Sequence, residues 1–464
     1  MNESIIVSAQ VKQYFSAHST LAALGVKVCE MKMFEPIEQQ VKIGQKTVKY
    51  TPIEKLMDAG IAILAGAHGM VEINKRVRPD RGLQAAFGRD GCAEQSVVQD
   101  TLDACTGENV IQMQAALDLI YRRHSQGYRH NYQKGWQLLD ADMTGRPCGK
   151  KAAFATKGYF AKQRNRRGRQ EGYLIATHYE EIVAKQLFDG GTQLTRALRP
   201  LVGAAEKTLG LDQDEEKRQR TILRVDSGGG SLDEVNWVLQ CGYQFHGKDY
   251  SGMRAQRLAE SVIEWFDDSR CPERQVGWVT EKTDMYYRPV KRVAVRCQKK
   301  NGQWGIGVLL STLSPQDVLE LTGQPLAKAS DPLAVLLAYV YFYDQRGGGV
   351  ETEIKEDKQG LGSSKRNKKR FNAQHMLTLL EALAHNLLVW ARSWLAKLCP
   401  KVARFGMLRL VRDAFHLNGL IVLDQAAHVR KIVFNRADPL AEELHTGFSA
   451  LFAHQHVAFI LGET

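Results

Sequence analysis

The chain has 464 residues, 44% of them hydrophobic and 25% charged, an ordinary globular composition that excludes wholesale disorder and any fibrous class and gives a prior of roughly three domains. Lys and Arg outnumber Asp and Glu by 63 to 51, and the excess is concentrated. Residues 145–170 hold nine basic side chains and no acid, and residues 355–370 hold seven basic and two acidic ones. Clustered cations of this kind attract phosphate and release its counterions. The longest apolar run, 332–343, is too short for a membrane span, which needs about 20 residues. No basic and then apolar leader opens the chain. The eight cysteines show no CxxC pair, so a zinc site is not expected, and scattered thiols fit a reducing cytoplasm. A cytoplasmic, membrane-free protein is the expectation.

Residues 1–132 read as a helical N-terminal domain, with apolar periodicity at 53–64 and 110–121. Two short periodic pieces around 88–92 are compatible with a helix-turn-helix. The pattern changes at Trp136. Residues 136–142 (WQLLDAD) read as a strand ending in acids and 172–176 (GYLIA) as another, and helical periodicity covers 178–209. Residues 221–226 (TILRVD) read as a third strand, broken by Ser227-Gly228-Gly229-Gly230. Ser231 can cap a helix over 232–240, with Glu234 as the other half of a capping box. Strand, tight turn and helix in this order form an α/β unit. A helix near 253–266 leads into a β-rich segment, 256–334, where residues 293–297 and 304–310 alternate around a Lys299-Lys300-Asn301-Gly302 hairpin turn. Asp331-Pro332 opens a helix that stops near the triple glycine 347–349. A second helix begins near Val350, and 371–395 is a long apolar helix. The tail offers strands at 420–423 and 431–434.

Three acids stand out by position. Asp142 and Asp226 end predicted strands, and Glu351 starts a helix. Carboxylates on neighbouring strands can hold divalent metal for phosphodiester chemistry. On a helix from Val350, Glu351, Lys355 and Lys358 share one face, as do Tyr343 and Arg346 on the preceding helix. A carboxylate flanked by Tyr, Arg and Lys suits holding a metal beside phosphates. The glycines after Asp226 match neither phosphate-binding fingerprint, so they read as a sharp turn rather than a mononucleotide site.

The block LRVDSGGGSLDEVNWVLQCGYQFHGKDYS (223–251) resembles the second-Asp block of DDE transposases of bacterial insertion sequences, and YDQRGGGVETEIKEDKQGLG (343–362) resembles their Y-R-E-K signature. LLDADMTG, LFDGGT and LAHNLLVWARSWL also stand where the insertion-sequence-four group has matching blocks, so the likeness covers roughly 136–400. The resemblance implies an α/β, RNase H-like catalytic core (133–255 and 335–400) interrupted by the β-rich insertion 256–334. The helical domain 1–132 would bind DNA ends and 401–464 would have an assembly role. It implies that Asp142, Asp226 and Glu351 hold Mg2+ or Mn2+, nick the element's terminal repeats and join the freed 3′-hydroxyls to target DNA. Tyr343 and Arg346 would contact phosphates near the cut and Lys358, with Lys355 beside it, would position the DNA. The basic run Arg164, Arg166, Arg167 and Arg169 is expected on double-stranded DNA, with a homodimer cutting paired ends.

Four residues separate Arg346 from Glu351 where the family pattern usually has three, which makes Glu353 a weaker choice for the third acid. Asp140 shares a strand face with Asp142, and Asp142 is preferred because the family acid commonly lies just ahead of a Thr, here Thr144. Of the tryptophans, Trp278 and Trp304 fall in the insertion, where the family can stack an aromatic on an extruded base. Trp304 alternates with apolar residues and reads as core, as do Trp390, Trp394 and His385. Two other functions fit the same residues: a transposase-derived DNA-binding protein without cleavage, and a metal-dependent nuclease without strand transfer.

Overall fold

The computed structural model describes residues 11–160, 163, 165–453 and 456–463. The chain forms two compact units. The first is Met1–His124, Lys151–Ala153 and Glu353–Thr464, and the second is Ser125–Lys150 and Phe154–Thr352.

Strand β1 (Lys12–Ser16) belongs to the first unit. The second unit is built on one twisted sheet whose strands, in chain order, are β2 (Gln137–Pro147), β3 (Thr156–Lys157), β4 (Arg167–Ala176), β5 (Glu181–Asp189), β6 (Thr221–Val225), β7 (Gln244–Lys248), β8 (Phe266–Asp268), β9 (Cys271–Trp278), β10 (Lys291–Gln298) and β11 (Trp304–Ser311). β2 lies between β4 and β6. On one side it runs antiparallel to β4, and β4 runs antiparallel to β5. On the other side β2 is parallel to β6, and β6 to β7. β6 is buried along its whole length, as a parallel strand covered on both faces must be, which is why TILRV is an apolar run apart from its arginine.

The β-rich insertion does not form a separate layer. β11 pairs antiparallel with β7, and β10, β9 and β8 follow, so the insertion extends the same sheet. The helix Pro332–Gly348, capped by Asp331, which accepts from the Leu333 and Ala334 amides, packs across it. Its Val335, Leu336, Tyr339 and Phe342 join Leu138, Ile222, Val276, Val293 and Leu309 in one buried cluster. Burying each such side chain is worth about 1.5–3 kcal/mol.

The first unit resumes with β12 (Gly419–Leu423), β13 (Val429–Asn435) and β14 (Ala458–Gly462), which form a four-stranded sheet with β1. Its long helix, Phe371–Leu395, has the expected bounds and is buried over most of its length.

Several expectations need correction. Residues 178–209 are not one helix: Glu181–Asp189 is strand β5 and the helix is Leu194–Leu209. β5 is buried on both faces over its first half, and a short, doubly covered apolar run does not reveal its period. The helix expected over 253–266 ends at Ala259, and Phe266 begins β8. The N-terminal region is not purely helical, since β1 pairs with β12 some four hundred residues away, from Lys12↔Leu423 to Ser16↔Gly419. Ser231 caps Leu232–Gln240 by accepting from the Glu234 amide, but the Glu234 carboxylate is engaged by Arg199. Among the described residues no helix is long and apolar enough to cross a membrane.

Candidate active site

The parallel pairing of β2 and β6 brings two acids to the point where that pairing ends; Asp142, expected as the last residue of its strand, lies within β2, which continues to Pro147 along β4. The register runs Asp140↔Arg224 and Ala141↔Val225, so Asp142 comes next on β2 and Asp226 next after β6. Asp226 stands just past β6, where its carboxylate accepts from the Gly228 amide at 2.8 Å and caps the turn Ser227–Gly229. Glycine is required nearby: a Cβ on Gly230 would sit 1.8 Å from the Lys248 carbonyl oxygen. Asp142 accepts from the Met143 amide at 2.6 Å. Its other oxygen lies 3.9 Å from Arg346 Nη2, with the Asp142 side chain 17% exposed.

Glu351 is exposed at the start of the helix Val350–Gly360, where the helix dipole favours an acid. The three carboxylates are electrostatically coupled. Burial raises Asp142 to about 6; Arg346 opposes that rise, while the Asp226 and Glu351 charges add to it. The Tyr343 hydroxyl is raised by burial, favoured toward ionisation by Arg346 and pushed further up by Asp226 and Glu351. The coupling identifies a focus of negative charge, open at Glu351, with Tyr343 beside it.

Arg346 is placed differently from the expectation of a phosphate contact. Its side chain is 2% exposed and donates to the Ala141 carbonyl at 2.8 Å. It lies 3.9 Å from Asp140 as well as from Asp142. The reason is local: Arg346 falls on the inward side of a helix packed on the sheet, directly over two acids that need a counter-charge. Asp140, the alternative first acid, is 0% exposed. Arg224 holds both of its oxygens, at 2.6 and 2.7 Å, and Thr177 donates to one of them at 2.8 Å. That leaves Asp142 as the acid of β2 facing the site.

The basic run divides. Arg164 lies outside the described residues. Arg166 and Arg167 are exposed, with Arg167 also donating to the Ala155 carbonyl. Arg169, expected on DNA, is instead wholly buried, and burial lowers its pKa. Arg146 is buried too, paired with Glu171 at 2.6 Å. Both arginines sit within the β2–β4 ladder, opposite one another in register, so strand geometry rather than charge places them. Lys355 is exposed and Lys358 half-buried, and both lie in the first unit. Trp304, expected in the core, is 39% exposed at the start of β11, next to the hairpin turn, where Arg296 lies between it and Trp265, 4.7 and 4.2 Å from the ring centroids. Trp278 packs edge-on against Tyr339, Trp390 is 2% exposed and Trp394 is half-buried. His385 is buried and hydrogen-bonded to Asp357 at 2.7 Å.

Sequence reasoning passed over Arg224 and Thr177. The signal for Arg224 was present, because a charge inside an apolar strand demands a buried partner, and Asp140 stands at the matching position of β2.

Asp142, Asp226 and Glu351 are hard oxygen donors that suit Mg2+ or Mn2+, and a cation there would offset both the burial of Asp142, the main cause of its rise, and the smaller contributions of Asp226 and Glu351. Among the described residues no three such groups already close around a metal-sized gap.

Compared with known proteins, the chain matches no protein-family model and no curated protein. Among solved structures it has a distant likeness to a piggyBac transposase in a synaptic complex with hairpin DNA, at 12% identity and a TM-score of 0.43, over 87% of this chain and 82% of that one.

Proposed function

We propose that the chain is a DDE transposase of the insertion-sequence-four type, with an RNase H-like core, that acts on double-stranded DNA in the bacterial cytoplasm. The observation that supports the reading is the register of β2 and β6, which sets Asp142 beside the turn that carries Asp226; the Asp226 and Glu351 charges that act on Asp142 agree with it. The strand order β5-β4-β2-β6-β7, antiparallel on one side of β2 and parallel on the other, supports it, as do the two sequence blocks around Asp226 and Glu351.

A divalent metal held by Asp142, Asp226 and Glu351 would polarise the scissile phosphodiester and activate a water or a 3′-hydroxyl. The chain's own groups perform the rest. Arg346 offsets the charge of the acids from within the core, and Tyr343 offers a hydroxyl beside the site. Arg166 and Arg167 supply exposed positive charge for the DNA backbone, with Lys355 and Lys358 as further backbone contacts. Terminal repeats are the DNA bound, and cutting of paired ends calls for a homodimer.

The test is cleavage of DNA carrying the element's ends, with Mg2+ or Mn2+. Nicking and a joined product are expected from the native chain, and neither from Asp226→Ala. Full cleavage by Asp226→Ala would refute the role of that acid. Binding without cleavage would make the chain a DNA-binding descendant, and cleavage without joining would make it a nuclease.

A further inference from the structure

Asp140 and Arg224 face each other across the parallel pair β2 and β6. Each stands two residues before one of the two acids Asp142 and Asp226, hence on the same face of the sheet as that acid. They are 0% and 1% exposed. The guanidinium grips the carboxylate as a fork, Nε to Oδ1 at 2.6 Å and Nη2 to Oδ2 at 2.7 Å. Its remaining nitrogen donates to the Phe342 carbonyl at 3.0 Å, and Thr177 donates to Asp140 from the turn that follows β4. The pair therefore ties together β2, β6, the helix that carries Arg346, and that turn.

We propose that the Asp140–Arg224 pair positions the acid site. It locks the register of the two strands that carry Asp142 and Asp226. By satisfying Asp140, it also leaves the Arg346 guanidinium shared with Asp142. This rests on the reading of Asp142 and Asp226 as metal-holding acids. A buried ion pair adds little stability over apolar packing, whereas a two-pronged arginine–carboxylate contact fixes angle as well as distance. Geometry is thus what this pair contributes. Without Arg224, Asp140 draws Arg346 toward itself and away from Asp142, since the two separations are equal at 3.9 Å.

Two full-length variants test this. Arg224→Lys keeps the charge and loses the fork. Asp140→Leu with Arg224→Met replaces the pair by apolar side chains of similar size, which preserves the fold if Arg224→Lys does not. Each is compared with the native chain by thermal melting, by Mn2+ affinity from the paramagnetic resonance of free Mn2+, and by kcat and KM for DNA nicking. A folded variant should bind Mn2+ about tenfold or more weakly and lose kcat in proportion, with KM for DNA unchanged. Folded variants that match the native chain in Mn2+ affinity and kcat would overturn the positioning role while leaving the acid site standing. A native chain that binds no Mn2+ would overturn the acid site and this inference with it.

Discussion

The Arg346 guanidinium, at 2% exposure, stands 3.9 Å from an oxygen of Asp142 and the same distance from one of Asp140. The surrounding carboxylates hold it firmly charged against the burial that opposes them. An arginine so placed offsets the charge of the two acids from within the core.

Removing that charge should therefore act on stability. Arg346→Met leaves Asp142 without this counter-charge and the Ala141 carbonyl without its donor, a loss of about 3 kcal/mol. Denaturant midpoints measure it. Arg346→Lys should retain part of the stability, and the salt dependence of DNA binding should match the native chain in both variants. A flattened salt slope would place Arg346 on the DNA after all.

Asp142 keeps its proton to about pH 6, against an ordinary 3.8, because it is buried beside Asp226 and Glu351. Between those values the folded chain holds a proton that the unfolded chain has released. The group's contribution to stability is therefore present below about pH 4 and is lost as pH rises to about 6, a difference on the order of 3 kcal/mol. Asp142→Asn should abolish this part of the pH dependence in denaturation curves taken between pH 4 and 7. An identical slope in the variant would remove Asp142 from the coupled group.

The basic hairpin should separate into surface and core. Arg166→Ala with Arg167→Ala should lower the slope of log affinity against log salt by about 2, with the fold intact. Arg169→Ala should lower the melting temperature instead, because that side chain is wholly buried. Reversed results would mean that the hairpin turns its other side to DNA.

The glycines of the two turns should differ sharply. Gly230→Ala forces a methyl to 1.8 Å from the Lys248 carbonyl oxygen, so backbone must move and about 2 kcal/mol is lost. At Gly348, the last residue of its helix, an added Cβ meets nothing within 4 Å, and alanine should be neutral or stabilise by about 0.5 kcal/mol. Thermal melts of the two variants make the comparison directly.

Much of the architecture is local and was therefore legible in the amino-acid order. The apolar run 371–395, the cap at Asp331 and the Lys299–Gly302 turn each specify an element through neighbours a few residues apart. The places of Asp226 just past a strand and of Glu351 at a helix start were legible for the same reason, whereas Asp142, expected to end its strand, lies within β2, which runs on to Pro147. Other features depend on contacts that no short window contains. β5 became a strand because β4 offered it a full ladder of hydrogen bonds, and β1 because it meets β12 at the far end of the chain. Arg346 and Arg169 carry the same charge as Arg166, yet packing buries the first two and leaves the third in water. The choice between Asp140 and Asp142 is the sharpest instance. They lie on one strand face and differ in what stands opposite, and only the pairing of β2 with β6 sets Arg224 against the first and leaves the second just past the end of that pairing.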